Sequence, residues 1–174
     1  RGASNGRATD RAVTPEGAVR LIWTVTPDTL EASALELAGL DETGALAWVT
    51  RVDEFPPEPR RLDALRLVGH ANGRATAVWM EQPGVALEGD RQVRARSFGA
   101  DGQAEGPPLT LTEWGSAAHN QLTGVVALPD GGLIITWSSY APHGTGVARF
   151  SSDGLRVGGS FFPETLGSAG WSQI

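Results

Sequence analysis

Short runs of apolar and β-branched residues alternate along the chain with clusters of Gly, Asp, Ser and Pro. Two clusters, Pro129-Asp130-Gly131-Gly132 and Ser151-Ser152-Asp153-Gly154, supply the positive φ angles and local hydrogen bonds that tight hairpins need. Apolar runs joined by such turns indicate consecutive antiparallel strands. The predicted strands are 7–13, 18–25, 32–40, 45–52, 62–68, 74–81, 91–98, 103–112, 120–128, 133–140, 146–150 and 155–162.

The sequence also repeats itself. When residues 98–122 are placed over 150–174, a shift of 52, eight of the 25 positions are identical. A glycine precedes a tryptophan by six residues three times, at Trp23, Trp79 and Trp137, with intervals of 56 and 58. These periods predict four-stranded units at 1–60, 61–118 and 119–170. Residues 171–174 then begin a fourth unit or form a ring-closing strand.

A four-stranded antiparallel unit of this size cannot bury an apolar face without a neighbour. Stacking such units around an axis gives a β-propeller, which closes with four to eight blades. The prediction is therefore an all-β, propeller-like chain whose three blades belong to a larger ring of six or seven. Three arrangements would complete the ring: a second propeller-forming polypeptide, a second copy of this chain, or a terminal strand crossing to another blade. An open sandwich of similar repeats is the remaining alternative.

The third repeat carries a recognisable pattern. It reads Asp130-Gly131-Gly132, an apolar strand to Trp137, then Phe150, an Asp153-Gly154 turn and a closing glycine. This pattern resembles the β-propeller repeats of bacterial secreted and cell-surface proteins. The second repeat matches in outline, and the first mainly through Gly17, Trp23 and Gly44. The resemblance implies a propeller-like scaffold that is extracellular or in the cell envelope, and it implies no single activity.

Composition narrows the possible partners. The chain of 174 residues has a formal net charge of −6 and contains no cysteine, so disulfides and thiolate metal sites are excluded. It has 14 basic residues, all arginine and scattered, so it lacks the basic face that nucleic acids require. Its apolar runs are far too short to span a bilayer as a helix.

Motifs for common catalytic and cofactor sites are absent from the sequence. His70, His119 and His143 fall at different repeat positions without zinc spacing, and each is predicted to be a surface or turn residue. Asp41, Asp101 and Asp153 lack the alternating ligands of a calcium loop, so turn formation is their favoured role. No phosphate-binding loop occurs, and no predicted strand is followed by a Gly-x-Ser-x-Gly elbow. No metal and no cofactor are predicted.

Two sets of residues are candidates for ligand binding, and the three repeat tryptophans belong to neither. Trp23, Trp79 and Trp137 share a repeat position and are predicted to pack between blades, with each N–H donated to a carbonyl. Trp114, in a connector, and Trp171 could instead present flat rings to a ligand, and His119, which aligns with Trp171, is a further candidate binding residue. Aligned positions in the innermost strand form a polar set that would line the central channel: Arg7, Asp63, Gln121 and Gln173.

These features favour a non-catalytic binding or structural module that recognises a protein partner or a glycan. The loops 82–90 and 139–145 are the predicted contact regions. The alternative is half of a propeller enzyme, a polysaccharide hydrolase or lyase whose catalytic groups are shared with other blades. A glycosidase needs two carboxylates held several ångströms apart, and Asp63 paired with Asp10 is one conceivable arrangement.

Overall fold

The computed structural model describes residues 7–25, 34–54, 60–83, 91–114, 121–140 and 143–161. They form three four-stranded antiparallel sheets, here called blades, in which each strand pairs with the next along the chain. The first blade comprises β1 (Arg7–Val13), β2 (Val19–Val25), β3 (Ala34–Leu40) and β4 (Leu46–Glu54). The second comprises β5 (Arg60–Gly69), β6 (Ala75–Pro83), β7 (Arg91–Phe98) and β8 (Leu109–Trp114). The third comprises β9 (Gln121–Ala127), β10 (Leu133–Tyr140), β11 (His143–Phe150) and β12 (Arg156–Phe161).

The blades stack around their first strands. β5 lies against both β1 and β9, so these three strands form the inner side of the stack. Antiparallel order places the tight turns 14–18, 41–45, 70–74, 99–103, 128–132 and 151–155 at one end of the blades, here called the turn face. The all-β, propeller-like fold predicted from the repeat is confirmed.

Two apolar cores lie between the blades. Trp79 is fully buried in the core shared by the first and second blades. Trp137 is 5% exposed in the core shared by the second and third. Trp23 lies on the side of the first blade away from the second, next to Ile22 of the shared core, and it is half-buried. Trp79 and Trp137 therefore face the preceding blade, which confirms the packing prediction for both. Trp23 points in the same direction, but no described blade precedes the first.

Gly146 allows one of these tryptophans to lie flat on its own sheet. It pairs with Trp137 across β10 and β11. A Cβ at this position would lie 2.1 Å from Cε2 of the indole. The side chain that faces Trp137 must therefore be hydrogen.

The strands differ from prediction chiefly in the second blade. β8 begins at Leu109 instead of residue 103, because Pro107 and Pro108 cannot donate to a ladder and leave only an isolated bridge between Phe98 and Ala104. The β5–β6 turn is a short 3₁₀ segment in which Asn72 has a φ of 61°. β11 begins at His143, three residues earlier than predicted. Within the described residues, no helix is long and apolar enough to cross a membrane.

Candidate functional site

Three members of the predicted channel set, Arg7, Asp63 and Gln121, lie on the inner strands, but the register needs a correction. Arg7 pairs with Thr24 and Gln121 with Ser138, and each partner directly follows a repeat tryptophan. In β5 this register position belongs to Ala64, which pairs with Met80.

Asp63 is the extra residue of a β-bulge between Leu62 and Ala64, one position from the predicted register. Gln121 is exposed. Trp114 ends β8, the outermost strand of the second blade. His119, Trp171 and Gln173 lie outside the described residues, as do most of the loop 82–90 and residues 141–142 of the loop 139–145.

The structure brings a different set of residues together at the turn face. A cavity of about 260 Å³, here called the groove, opens between the second and third blades. Its second-blade wall includes Thr76, Ser97 and Gly106, and its third-blade wall includes the turn residues Gly131, Ser152 and Asp153. The lining of the groove therefore combines hydroxyls, the carboxylates of Glu105 and Asp153, and the guanidinium of Arg96.

The corresponding space between the first and second blades is filled. Arg20 reaches across it, and its Nη2 donates to the carbonyls of Gly73 at 3.1 Å and Ala100 at 3.2 Å. The guanidinium lies 5.1 Å from the ring centre of Trp48. The indole in turn occupies the place where a Cβ of Gly102 would sit, at 2.5 Å. We call Arg20 and Trp48 the plug.

The turn hydrogen bonds define which residues replace the plug in the second blade. Gly17, Gly73 and Gly131 occupy one turn position, and Gly44, Gly102 and Gly154 occupy another. Counting from these glycines, Arg20 corresponds to Thr76, and Trp48 corresponds to Gly106. The two side chains of the plug are thus replaced by a hydroxyl and a hydrogen, which is why the groove is open.

A buried chain of polar side chains runs beneath the groove. Nε2 of His70 lies 2.9 Å from Oγ1 of Thr76, which lies 2.8 Å from Oγ of Ser97. His70 is 7% exposed, so it is a turn residue as predicted but not a surface one. Burial, assisted by the charge of Arg74, lowers the pKa of His70 below its ordinary value of 6.5. Both effects favour the neutral form of the imidazole.

A charged pair marks the rim of the groove. The guanidinium of Arg74 binds both carboxylate oxygens of Glu105, and this bond raises the pKa of Arg74. Arg74 also lines a second cavity of about 470 Å³, bounded by the turns 70–74 and 128–131. Asp130 at its edge pairs with Arg149 at 2.6 Å, and both are exposed.

A second charged cluster lies between the first and second blades. Glu81 is 1% exposed and accepts the indole N–H of Trp79 at 3.1 Å. Nη1 of Arg94 lies 3.5 Å from Glu81 and 2.9 Å from Asp53 of the first blade. The acceptor of the tryptophan N–H is thus a carboxylate and not the predicted carbonyl. The cluster joins two blades, and its geometry is that of a structural ion-pair network.

The predicted turn role of the aspartates is confirmed. Oδ1 of Asp41 accepts hydrogen bonds from Thr43 and Ala45 within its turn, and Oδ1 of Asp101 accepts one from Gln103. Among the residues described, no three potential metal ligands of the His, Asp or Glu type come together.

The groove was not predicted from the sequence, although one signal was available. The tryptophan register already aligns Arg20 with Thr76 and Ile134. A change from a long cation to a small hydroxyl at one repeat position indicates that adjacent interfaces are filled differently. Trp48 fills the first interface next to a register shift in the pairing of β3 with β4. No pattern in the sequence predicts this shift.

Comparison with known proteins supports the fold alone. No protein-family model and no curated protein matches the sequence. Among solved structures, the chain is similar to an endo-arabinase from Bacteroides thetaiotaomicron VPI-5482, with a TM-score of 0.56 and 19% sequence identity. The match covers 97% of this chain and 66% of the endo-arabinase, so the chain spans just under two thirds of that protein. The likeness to this propeller-type structure agrees with the stacking of the blades.

Proposed function

We propose that the chain is a ligand-binding propeller module and that the groove is its recognition site. The observation that carries the proposal is the difference between two equivalent interfaces. Arg20 and Trp48 fill the first, whereas Thr76 and Gly106 leave the second open at the turn face. A concave, partly apolar space with a few polar groups is the usual form of a binding site.

The chemistry of the groove suits a polar ligand with an apolar side. Leu109, Leu111 and Leu133 contribute apolar surface, while Ser97 and Ser152 contribute hydroxyls. A volume of about 260 Å³ accommodates one side chain or one sugar ring. The ligand class is accordingly a protein partner or a glycan, with the remainder of the ligand lying across the turn face.

We extend the proposal to the setting of the module. The resemblance of the repeats supports a place outside the cytoplasm, in the extracellular space or the cell envelope. The outer sides of the end blades expose apolar residues, including Val13 at 62% on the first blade and Val126 at 58% on the third. Apolar strands of this kind favour coverage by further blades, supplied by another copy of the chain or a second propeller-forming polypeptide.

The experiment is a binding screen with a blocked groove. The protein is applied to a glycan array and to a peptide array, together with Ser152→Trp, which places a large ring over the groove from an exposed turn position. Glu42→Trp is the matched control, because Glu42 occupies the equivalent exposed turn position in the first blade. We expect at least one ligand to bind the wild type and Glu42→Trp but not Ser152→Trp. Equal binding by all three proteins, or by none, would overturn the proposal.

The likeness to an endo-arabinase supports a second candidate, a polysaccharide hydrolase completed by further blades. This candidate requires two carboxylates on opposite sides of a glycosidic bond. Asp63 on the inner strand β5 supplies one of them in this hypothesis. The test is a panel of polysaccharides, arabinan included, incubated with the complete ring. Hydrolysis that disappears in Asp63→Asn would favour the enzyme, and an inert ring would remove it.

A further inference from the structure

The groove is lined, without a plug, by the residues equivalent to those whose carbonyls hold Arg20 in the first interface. In that interface the two acceptors for Arg20 are the carbonyls of Gly73 and Ala100. The turn hydrogen bonds equate Gly73 with Gly131 and Ala100 with Ser152 in the third blade. Both equivalent residues line the groove.

The carbonyls of Gly131 and Ser152 have no protein donor among the residues that the structure describes. In the first interface the equivalent carbonyls, of Gly73 and Ala100, hold the guanidinium of Arg20 beside the ring of Trp48. Arg20 is only 5% exposed. Two carbonyls converging on one nitrogen form a site that favours a donor-rich planar cation. We propose that the groove binds the arginine side chain of a partner polypeptide, in the position that Arg20 occupies one blade earlier.

The charges around the groove are compatible with such an occupant. Arg74 is neutralised by Glu105 at the rim. Arg96 uses its Nε on the carbonyl of Gly106 and its Nη1 on the carbonyl of Val52. Asp153 also lines the groove and is exposed; its Oδ1 accepts the hydroxyl of Ser151, and its negative charge offsets the positive charge of Arg96.

The groove differs from the first interface in the side chain that contacts the turn glycine of the following blade. Trp48 contacts the turn glycine Gly102 in the first interface, and Leu109 makes the equivalent contact with Gly154, 2.5 Å from its Cβ position. Leu109 lines the groove together with Gly131 and Ser152. An arginine entering the groove would therefore meet the turn residues that carry its acceptors and apolar surface beside its methylene groups.

The inference rests on the proposed function and is tested with three capped pentapeptides. Each has four glycines around a central arginine, lysine or citrulline, and citrulline keeps the shape of arginine without its charge. Binding is followed by NMR at the amides of Gly132 and Asp153, which directly follow the two carbonyls. We expect the arginine peptide to shift these amides and to bind at least tenfold more tightly than the citrulline peptide. Equal responses to arginine and citrulline would refute the inference.

A variant that supplies the missing arginine gives an independent test. Thr76→Arg places a guanidinium at the position of Arg20, and it should abolish the response to the arginine peptide and raise the thermal midpoint. Ile134→Arg is the matched control, because it adds the same side chain at the equivalent position of the third blade, which does not line the groove, and the response to the arginine peptide should persist. A folded Thr76→Arg that still binds the peptide would contradict the proposal, and if it does not fold, the three wild-type titrations decide.

The two proposals fail differently. If an array ligand is lost in Ser152→Trp while the arginine peptide never binds, the groove is a recognition site for another chemistry and only the arginine inference is wrong. If Ser152→Trp changes no binding at all, the proposed function fails as well.

Discussion

The guanidinium carbon of Arg20 lies 5.1 Å from the ring centre of Trp48, between two blades and over two carbonyls of the neighbouring sheet. Replacing Arg20 by Ala removes this stacking and leaves both carbonyls without their donor. We expect a loss of about 2–3 kcal/mol in the free energy of unfolding. Urea denaturation measures it.

The control for this variant is Arg149→Ala. Arg149 also forms a pair, with Asp130, but both side chains are about half exposed. Solvent-exposed pairs contribute little, so we expect no measurable change. Similar losses in the two variants would mean that the plug does not join the blades.

Gly146→Ala should be costly for a purely steric reason. The added methyl group would lie 2.1 Å from the indole of Trp137, which is held in the core between the second and third blades. We expect a loss of about 2–3 kcal/mol in urea denaturation as the ring is displaced.

Gly17→Ala separates this effect from that of backbone strain. Gly17 has a φ of +87° and open space around its Cβ position, so the left-handed conformation alone should cost about 1 kcal/mol. A smaller loss in Gly146→Ala than in Gly17→Ala would contradict the described packing of Trp137.

The charged cluster at Glu81 should behave as a coupled unit. Arg94→Met removes the cation 3.5 Å from a carboxylate that is 1% exposed, and we expect a loss of about 3 kcal/mol. Adding Glu81→Gln removes the buried charge and should restore part of that stability. A double-mutant cycle measures the coupling, and strictly additive losses would show that the two side chains act separately.

His70 makes the stability of the protein depend on pH. Because burial lowers its pKa in the folded state, the unfolded chain binds a proton more readily. The contribution of His70 to stability is present above pH 6.5 and is lost as the pH falls below that value. The thermal midpoint should decrease when the pH is lowered from 7.5 to 5.5, and the decrease should be smaller in His70→Gln. An equal fall in both proteins would place the titration at another group.

Asp41 should contribute to stability in acid. The hydroxyl of Thr43 and the amide of Ala45 lower the pKa of its carboxyl group below the ordinary value of 3.8. Its contribution is therefore present above pH 3.8 and is lost as the pH falls towards the lower pKa of the folded state. Thermal midpoints at pH 5 and pH 2.5 should differ less for Asp41→Asn than for the wild type. A larger difference in the variant would exclude this role.

Local patterns in the sequence were sufficient for most of the fold. The glycine turns and the tryptophan period predicted twelve strands and their grouping, because turn chemistry and repeat length are read from adjacent residues. The register of Asp63 could not be obtained in this way. A β-bulge adds a residue to one strand without a distinctive sequence, so the channel set was misaligned by one position in the second repeat.

The candidate site was less predictable than the fold, because it depends on pairs of repeats. Thr76 alone is an ordinary strand residue, and it indicates an open interface only when it is compared with Arg20 at the equivalent repeat position. The carbonyls of Gly131 and Ser152 belong to the backbone, and every residue has one, so the sequence does not distinguish them. A site built from main-chain acceptors and missing side chains is therefore found from the structure alone.

The orientation of the repeat tryptophans gives the stack a polarity. Trp79 and Trp137 each point back to the blade before them, and Trp23 points back from the first blade to its outer side. A further blade can continue this packing only head to tail, with its own tryptophan against the third blade or its tryptophan-free side against Trp23. Two first blades placed face to face would bring two indoles together and could not reproduce either core. In the proposed larger ring, the outer side of a third blade would therefore pack against the outer side of a first blade.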